Sequence, residues 1–386
     1  MSMSKSIAKR AKKDRSGMVT GHVWRARYRD EQGKEHSKHF QRKSDGERWL
    51  DEVTASLVTG QYVAPSAGKI SLRDFAEHWR SIQVVRPNTA SRYETTLRRH
   101  VYPTLGQMPI SGVRPTHIQA WVKQISENLA PSTVAVAHGI LSSCLKAAVA
   151  DRRIVRNPCE GTRLPEVPPS KIIPPTTTEV VRLRDQIDPR YRALVHLCAA
   201  SGLRPGEAFG LTVDRVDFLR ATVTVDRQAV YVAKQPITFG PPKRLPASLR
   251  EIPIPRDLVE ALSAHISTYG LGEHDLIFTS PTGGFIRRST FSSKVWRPAV
   301  KATGLREGTR LHDIRHYYAS LLIRHGESVK TVQKRLGHAT AQETLDTYGH
   351  LWPDSDDHTR SIAALALLDT SADDVGTTQG QQARNA

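Results

Sequence analysis

Two proline-bearing stretches constrain this chain more than any other feature of its sequence. Val63-Ala-Pro-Ser-Ala-Gly68 and Pro165-Glu-Val-Pro-Pro-Ser-Lys-Ile-Ile-Pro-Pro175 resist regular structure, because proline fixes φ and lacks the amide proton that a helix or ladder needs. At 386 residues the chain is also too long for one core of ordinary size. Separate domains are therefore expected over 1–65 and 66–164 and, after a linker at 165–175, over 176–375, with a disordered polar tail at 376–386.

Local patterns differ among the three. His22–Arg29 alternates residue by residue, as a half-buried strand does. A turn at 30–33 and a second polar strand around His36–Gln41 follow, and Ser44 and Asp45 open a helix through Trp49, Val53 and Leu57. The strands carry Arg25, Arg27, Arg29, Lys38 and Arg42. Ahead of them Lys5, Lys9, Arg10, Lys12, Lys13 and Arg15 form a basic arm suited to phosphate contacts. From Ser71, whose capping box uses Asp74, helices are predicted over 71–82, 88–101, 115–127 and 131–150. The last has an apolar stripe through Val134, Ala137, Ile140, Leu141 and Leu145. Arg92, Arg98, Arg99, Lys146, Arg152 and Arg153 give this all-α segment basic edges. The third segment reads as mostly helical, interrupted by short strands at 221–226, 230–233 and 251–255. The predicted fold class is mainly α with small β elements.

Charge narrows the function. Lys and Arg outnumber Asp and Glu by 56 to 38, a net +18, and a chain that basic repels itself unless it meets a polyanion. Nucleic acid is the expected partner. Cys144, Cys159 and Cys198 show no metal-ligand spacing, which fits a reducing cytoplasm and no disulfide framework. No apolar stretch follows the basic N-terminus, and no window approaches the apolar length of a membrane span, so a soluble cytoplasmic protein without membrane contact is expected.

The third segment also holds polar residues in apolar surroundings. An apolar helix ends at Gly202 and Pro205 starts another, which leaves Arg204 at the junction with Glu207 three residues on. Such a pair can tie two helices together or serve a site. Leu311, Ile314, Tyr318, Leu321 and Leu322 mark the buried side of a later helix, and His312 and Arg315 share a neighbouring face. His312 and His316 have the i,i+4 spacing of metal ligands, but no third ligand pattern accompanies them and no metal site is expected. Leu336-Gly-His338 follows, and ten residues later Tyr348 in Thr347-Tyr-Gly-His350.

In this order, on a basic chain, these strings resemble the signature of tyrosine recombinases of the phage-integrase type. Ser-Gly-Leu-Arg204-Pro-Gly-Glu resembles the first-arginine box, His312-Asp-Ile-Arg315-His the His-x-x-Arg box, and Leu336-Gly-His338 with Tyr348 the third box and nucleophile. The family's catalytic lysine lies on a hairpin between the first two boxes. Pro241–Pro253 occupies that place, and Lys243 fits better than Lys234. Here the chain departs from the pattern: Arg244 replaces a common small hydroxyl residue, and the run to Arg250 is one residue longer. The middle segment resembles a core-binding domain by position and helix count, and the first an arm-binding domain.

The resemblance implies a specific chemistry. Attack of a tyrosine oxygen on a phosphodiester builds charge on the non-bridging oxygens, which guanidiniums can hold with forked hydrogen bonds while staying charged. Arg204 and Arg315 take that role, with Glu207 in support. Tyr348, with an unperturbed pKa of about 10, needs its proton removed, and His312 is the implied base. Lys243 protonates the departing 5′ oxygen and His338 hydrogen-bonds the phosphate. The 3′-phosphotyrosine stores the bond energy, so no ATP, metal or other cofactor is implied. Implied partners are double-stranded DNA attachment sites, three further copies of the chain in a tetramer on DNA, a host DNA-bending protein and an excision directionality factor. Ile362, Ala363, Leu365, Ala366 and Leu368 form an apolar helix face that would dock on a neighbouring protomer. Rival readings are a type IB topoisomerase, which shares the chemistry but works as a monomer, a non-catalytic DNA-binding regulator on the same scaffold, and a basic RNA-binding protein.

Overall fold

The expected alternation over His22–Arg29 arises in a three-stranded antiparallel sheet, ordered β1 (Lys5–Lys13), β2 (Val19–Arg29) and β3 (Glu35–Phe40). The computed structural model describes residues 5–13, 18–30, 33–59, 62–168, 172–232 and 235–352. One inward face of β2 buries Ala26 and Tyr28, and helix α1 (Lys43–Val58) covers it with Leu50, Trp49 and Val53. The Tyr28 hydroxyl reaches that of Tyr62 at 2.9 Å, which closes the far edge of this small core. The leading basic run is thus not a free arm over 5–13. It is a strand paired along its length with β2, and Ile7 supplies its apolar anchor. A single apolar contact in a run of lysines leaves no alternation to read, which is why the sequence concealed it.

A helical core follows. In α2 (Leu72–Ser81), Ser71 Oγ accepts from the Asp74 amide at 3.1 Å, and Leu72, Phe75, Ala76 and Trp79 are buried at helical spacing. The predicted helix over 88–101 is α3 (Pro87–Thr96) continuing through a π turn at Leu97–Val101 into α4 (Tyr102–Leu105). The indole of Trp121 donates to the His100 carbonyl at 2.6 Å, so the widened turn leaves that group satisfied. Prolines at first helical positions start α5 (Pro115–Ser126) and α6 (Pro131–Ala150). Contrary to the hydropathy expectation, α6 is long and apolar enough to cross a membrane by length and composition. Its Val134, Ala137, Leu141, Cys144, Leu145 and Ala148 are buried in the helical core instead.

The chain divides into two compact units, one within 1–169, which holds both cores above, and one within 170–386. In the second, α7 (Thr177–Gln186), α8 (Arg192–Ser201), α9 (Pro205–Phe209), α10 (Arg256–Tyr269), α11 (Arg288–Phe291), α12 (Arg297–Thr303), α13 (Leu311–Arg324), α14 (Val329–Leu336) and α15 (Ala341–Tyr348) surround a short antiparallel sheet. Its strands run β4 (Val216–Asp217), β5 (Thr222–Val225) and β8 (Arg250–Pro253), with β6 (Gln228–Val230) and β7 (Thr238–Gly240) as a separate pair. The fold is mainly α with small antiparallel sheets. Each predicted strand run contains a strand shorter than or shifted from its expected span, and β4 and β7 escaped prediction because two or three residues show no period. The apolar tail face at 362–368 and the disordered tail at 376–386 lie outside the described residues.

Candidate active site

Two helix ends set the geometry. Helices α8 and α14 both stop at a glycine with positive φ, Gly202 at 62° and Gly337 at 64°, a conformation that costs other residues strain. The last carbonyls of a helix lack partners and carry the negative end of its dipole, and here arginines fill them. Arg315, only 2% exposed, donates from Nη1 to Gly202 O at 2.7 Å and from Nη2 to Leu336 O at 2.6 Å. Arg204, at the start of α9, donates from Nη2 to Gly337 O at 3.1 Å. Burial, then the nearby Arg204 and Arg250, push the Arg315 pKa down to about 9, which leaves it charged at neutral pH.

A carboxylate sits beneath these cations. Glu207 accepts from Arg204 Nη1 at 3.0 Å and from the Arg204 amide at 3.0 Å, which closes a capping box on α9. It also accepts from Arg250 Nη2 at 2.7 Å, where both side chains are 2% exposed. Burial raises its pKa, but Arg250 and Arg204 outweigh that and hold it at about 2. Arg250 went unpredicted, although a signal existed. In β8 it shares a face with buried Ile252, and a charge on the apolar side of a strand marks a site needing a partner.

Tyr348 ends α15 and is 1% exposed. Burial lifts its pKa to about 12 despite the opposing pull of Arg315 and Arg204, so the hydroxyl keeps its proton. That hydroxyl lies 2.8 Å from Nδ1 of His316, a residue not among the expected catalytic set. His312 packs edge-on against His316 with ring centroids 5.0 Å apart. His338 stacks parallel to Tyr348 at 6.3 Å and pairs through Nδ1 with Thr344 Oγ1 at 2.9 Å. Burial pushes His312 and His316 down to about 4 and His338 to about 3, with nearby arginines adding to it and Asp313 opposing it at His312 and His316, so all three rings are neutral near pH 7.

Sequence models of one family match both units: that of the phage integrase family over residues 176–354, and that of the phage integrase central domain over 71–164. The chain belongs to the phage integrase family. It is a tyrosine recombinase, an enzyme that cleaves and rejoins DNA. The prophage phiRv2 integrase of Mycobacterium tuberculosis is 28% identical over 358 residues, which span 89% of this chain and 92% of that one. The fold is that of the Tn1549 transposon integrase solved in complex with transposon right end DNA, at a TM-score of 0.67 and 21% identity over 77% of this chain and 100% of that one. It also matches a lambda integrase tetramer bound to a Holliday junction, at a TM-score of 0.57 and 17% identity over 86% and 93% of the two chains.

Within the recombinase, five of the six expected catalytic side chains converge. Arg204 and Arg315 meet at the two helix ends, His338 and Tyr348 stack, and His312 borders the ring that holds the tyrosine. Lys243 stands apart on the exposed connection between β7 and β8, with no hydrogen bond or ion pair to the other five among the described residues. Its neighbour Arg244 pairs with Glu343 on the tyrosine's own helix.

The expected DNA-contact residues fall in several settings. Arg25, Arg27 and Arg29 share the outer face of β2, where Arg25 and Arg27 pair with Glu35 at 3.3 and 3.8 Å. Lys38 registers opposite Ala26, on the other face, with Nζ 5.4 Å from the Phe40 ring centre. Arg92, Arg99 and Lys146 are exposed on the helical core, and Arg98 is tied to Glu94 at 2.9 Å. Among the described residues no cluster of His, Cys, Asp or Glu could hold a metal ion.

Proposed function

We propose that this recombinase integrates and excises a phage or other mobile element, with Tyr348 forming a 3′-phosphotyrosyl bond to one DNA strand. One observation carries the reading: two guanidiniums, buried Arg315 and half-buried Arg204, are fixed by helix-end carbonyls in the unit that also buries Tyr348 and His338. Forked cations of this kind bind the non-bridging oxygens as charge builds. His338 contributes a hydrogen bond to the phosphate, His312 is the base that the resemblance implies, Glu207 supports Arg204, and Lys243 protonates the departing 5′ oxygen. Its place on a long exposed connection lets it reach the scissile bond when DNA arrives. A free 5′-hydroxyl of a second DNA then reverses the step and exchanges strands.

The segments expected from the sequence take separate roles in this reading. Residues 66–164 grip the core DNA site through Arg92, Arg98, Arg99 and Lys146, and 176–375 carry out the chemistry. Residues 1–65 bind a second class of site through Arg25, Arg27 and Arg29, with Lys38 at the edge. Such a second site makes a host DNA-bending protein and a directionality factor expected partners in the bacterial cytoplasm. The assembly is a tetramer on paired sites, as the lambda integrase forms on a Holliday junction. Residues 362–368 dock on the neighbouring copy, so deletion of 361–386 abolishes assembly.

A nicked suicide substrate bearing the element's own attachment site tests the core of this reading. Wild type forms a covalent adduct without added metal or ATP, and Tyr348→Phe forms none. DNA binding without an adduct on a proven site would instead favour the regulator.

A further inference from the structure

The Tyr348 hydroxyl is engaged, and its partner is not the expected base. His316 Nδ1 lies 2.8 Å from it, with the two ring centroids 5.6 Å apart. His312 has its ring against His316, and His338 spends Nδ1 on Thr344. A group that removes a proton must lie within hydrogen-bond reach of it, and His316 does.

The other nitrogen of that ring faces a carboxylate. His316 Nε2 is 4.0 Å from Asp313 Oδ1. Asp313 is itself anchored at the start of α13, where Oδ2 accepts the Arg310 amide at 2.7 Å. At that separation the carboxylate acts through charge. It favours the tautomer with the proton on Nε2, which leaves the Nδ1 lone pair for the tyrosine. Nucleophile, ring and orienting acid thus follow one another in the order found where a base activates a hydroxyl. A neutral ring can accept a proton, and the raised pKa of Tyr348 keeps that proton in place until the phosphate and its arginines stabilise the transition state.

We propose that His316 is the catalytic residue that takes the proton of Tyr348 during strand cleavage, with Asp313 positioning its ring. The proposal rests on Tyr348 being the nucleophile and moves the base role from His312 to its neighbour one turn on. In the step, the Tyr348 O–H proton passes to His316 Nδ1, the tyrosine oxygen bonds to phosphorus, and the bond from phosphorus to the 5′ oxygen breaks. That oxygen takes its proton from Lys243. Religation runs the same transfers backwards, and His316 returns the proton to the tyrosine.

Single-turnover cleavage of nicked substrates carrying oxygen or sulfur at the scissile 5′ position tests this. His316→Asn keeps an acceptor where Nδ1 stood but cannot take a proton, so adduct formation should slow by about 10²-fold or more with DNA binding intact. A sulfur leaving group needs no proton. It should restore Lys243→Ala and leave His316→Asn slow, because the defect lies on the attacking side. Cleavage by His316→Asn within about threefold of wild type, well short of that factor, would overturn the proposal by reducing the ring to a holder, as would rescue by sulfur. In case the Asn variant melts early, His316→Ala is assayed with added imidazole, which should speed adduct formation where acetamide does not; equal effects of the two would also overturn it. Adduct formed by Tyr348→Phe would instead bring down the nucleophile assignment itself.

Discussion

Replacing Glu207 by glutamine removes a negative charge set beneath three guanidiniums while keeping the side chain's shape. Arg250 stays buried with both side chains of the pair 2% exposed, and it loses its 2.7 Å partner. Two routes give the size of the effect. Deleting one member of a buried ion pair costs about 3–5 kcal/mol, because the remaining charge is stranded. Independently, Glu207 moves from an ordinary 4.5 to about 2, which at 1.36 kcal/mol per unit is about 3 kcal/mol of carboxylate stabilisation. For a unit of this size each kcal/mol lowers the melting temperature by roughly 2–4 °C, so Glu207→Gln should melt roughly 6–20 °C lower. A carboxyl whose pKa is depressed on folding stabilises fully above its unfolded pKa and loses that contribution as pH falls towards the folded value. The gap is therefore complete at neutral pH and narrows from about pH 4.5 downwards. Calorimetric melts of the full chain at both ends of that range measure it. Adding Arg250→Met to Glu207→Gln should recover part of the loss, since no charge is then stranded. A loss under about 1 kcal/mol, or a gap unchanged at low pH, would refute the reasoning.

Other perturbations read neighbouring parts of the same site. Gly202→Ala places a methyl 2.4 Å from Tyr318 Cδ1 at a φ of 62°, so urea unfolding should show a loss of about 2–4 kcal/mol; a near-neutral result would mean the α8 end can move. Arg315→Lys cannot span both Gly202 O and Leu336 O with one ammonium, and adduct formation should fall by at least about 10²-fold while footprints persist. The histidines at 312, 316 and 338, held at about 4, 4 and 3, refuse protons that the unfolded chain accepts. Their contribution is complete above the unfolded pKa of about 6.5 and is lost as pH falls from there towards 4, so melting temperature should decline over that interval; a flat profile would contradict it.

Arg204, His338 and Tyr348 were legible because each sits in a local string whose spacing fixes its helix position. Pro205 starts α9 at Arg204, and the Leu-Gly-His string ends α14 next to His338. The helices of 71–150 announced themselves by apolar period, as Leu72, Phe75, Ala76 and Trp79 illustrate. What escaped was long-range. Arg250 meets a glutamate 43 positions away, and His316 meets a tyrosine 32 positions away. No local pattern encodes either meeting. Strand β1 escaped for another reason: its pairing uses backbone groups, to which a lysine-rich sequence gives no clue.

That Arg204 and Arg315 are gripped by peptide carbonyls bears on how this enzyme can diverge. A carbonyl belongs to every residue, so the grip asks for no particular side chain at position 336 and, at 202 and 337, only for the glycines that let the two helices end there. Surrounding sequence is then free to drift, for instance towards new DNA targets, while the cationic pair keeps its aim. An engineer seeking altered specificity can rewrite exposed surfaces broadly, provided the lengths of α8 and α14 and their two terminal glycines are left alone.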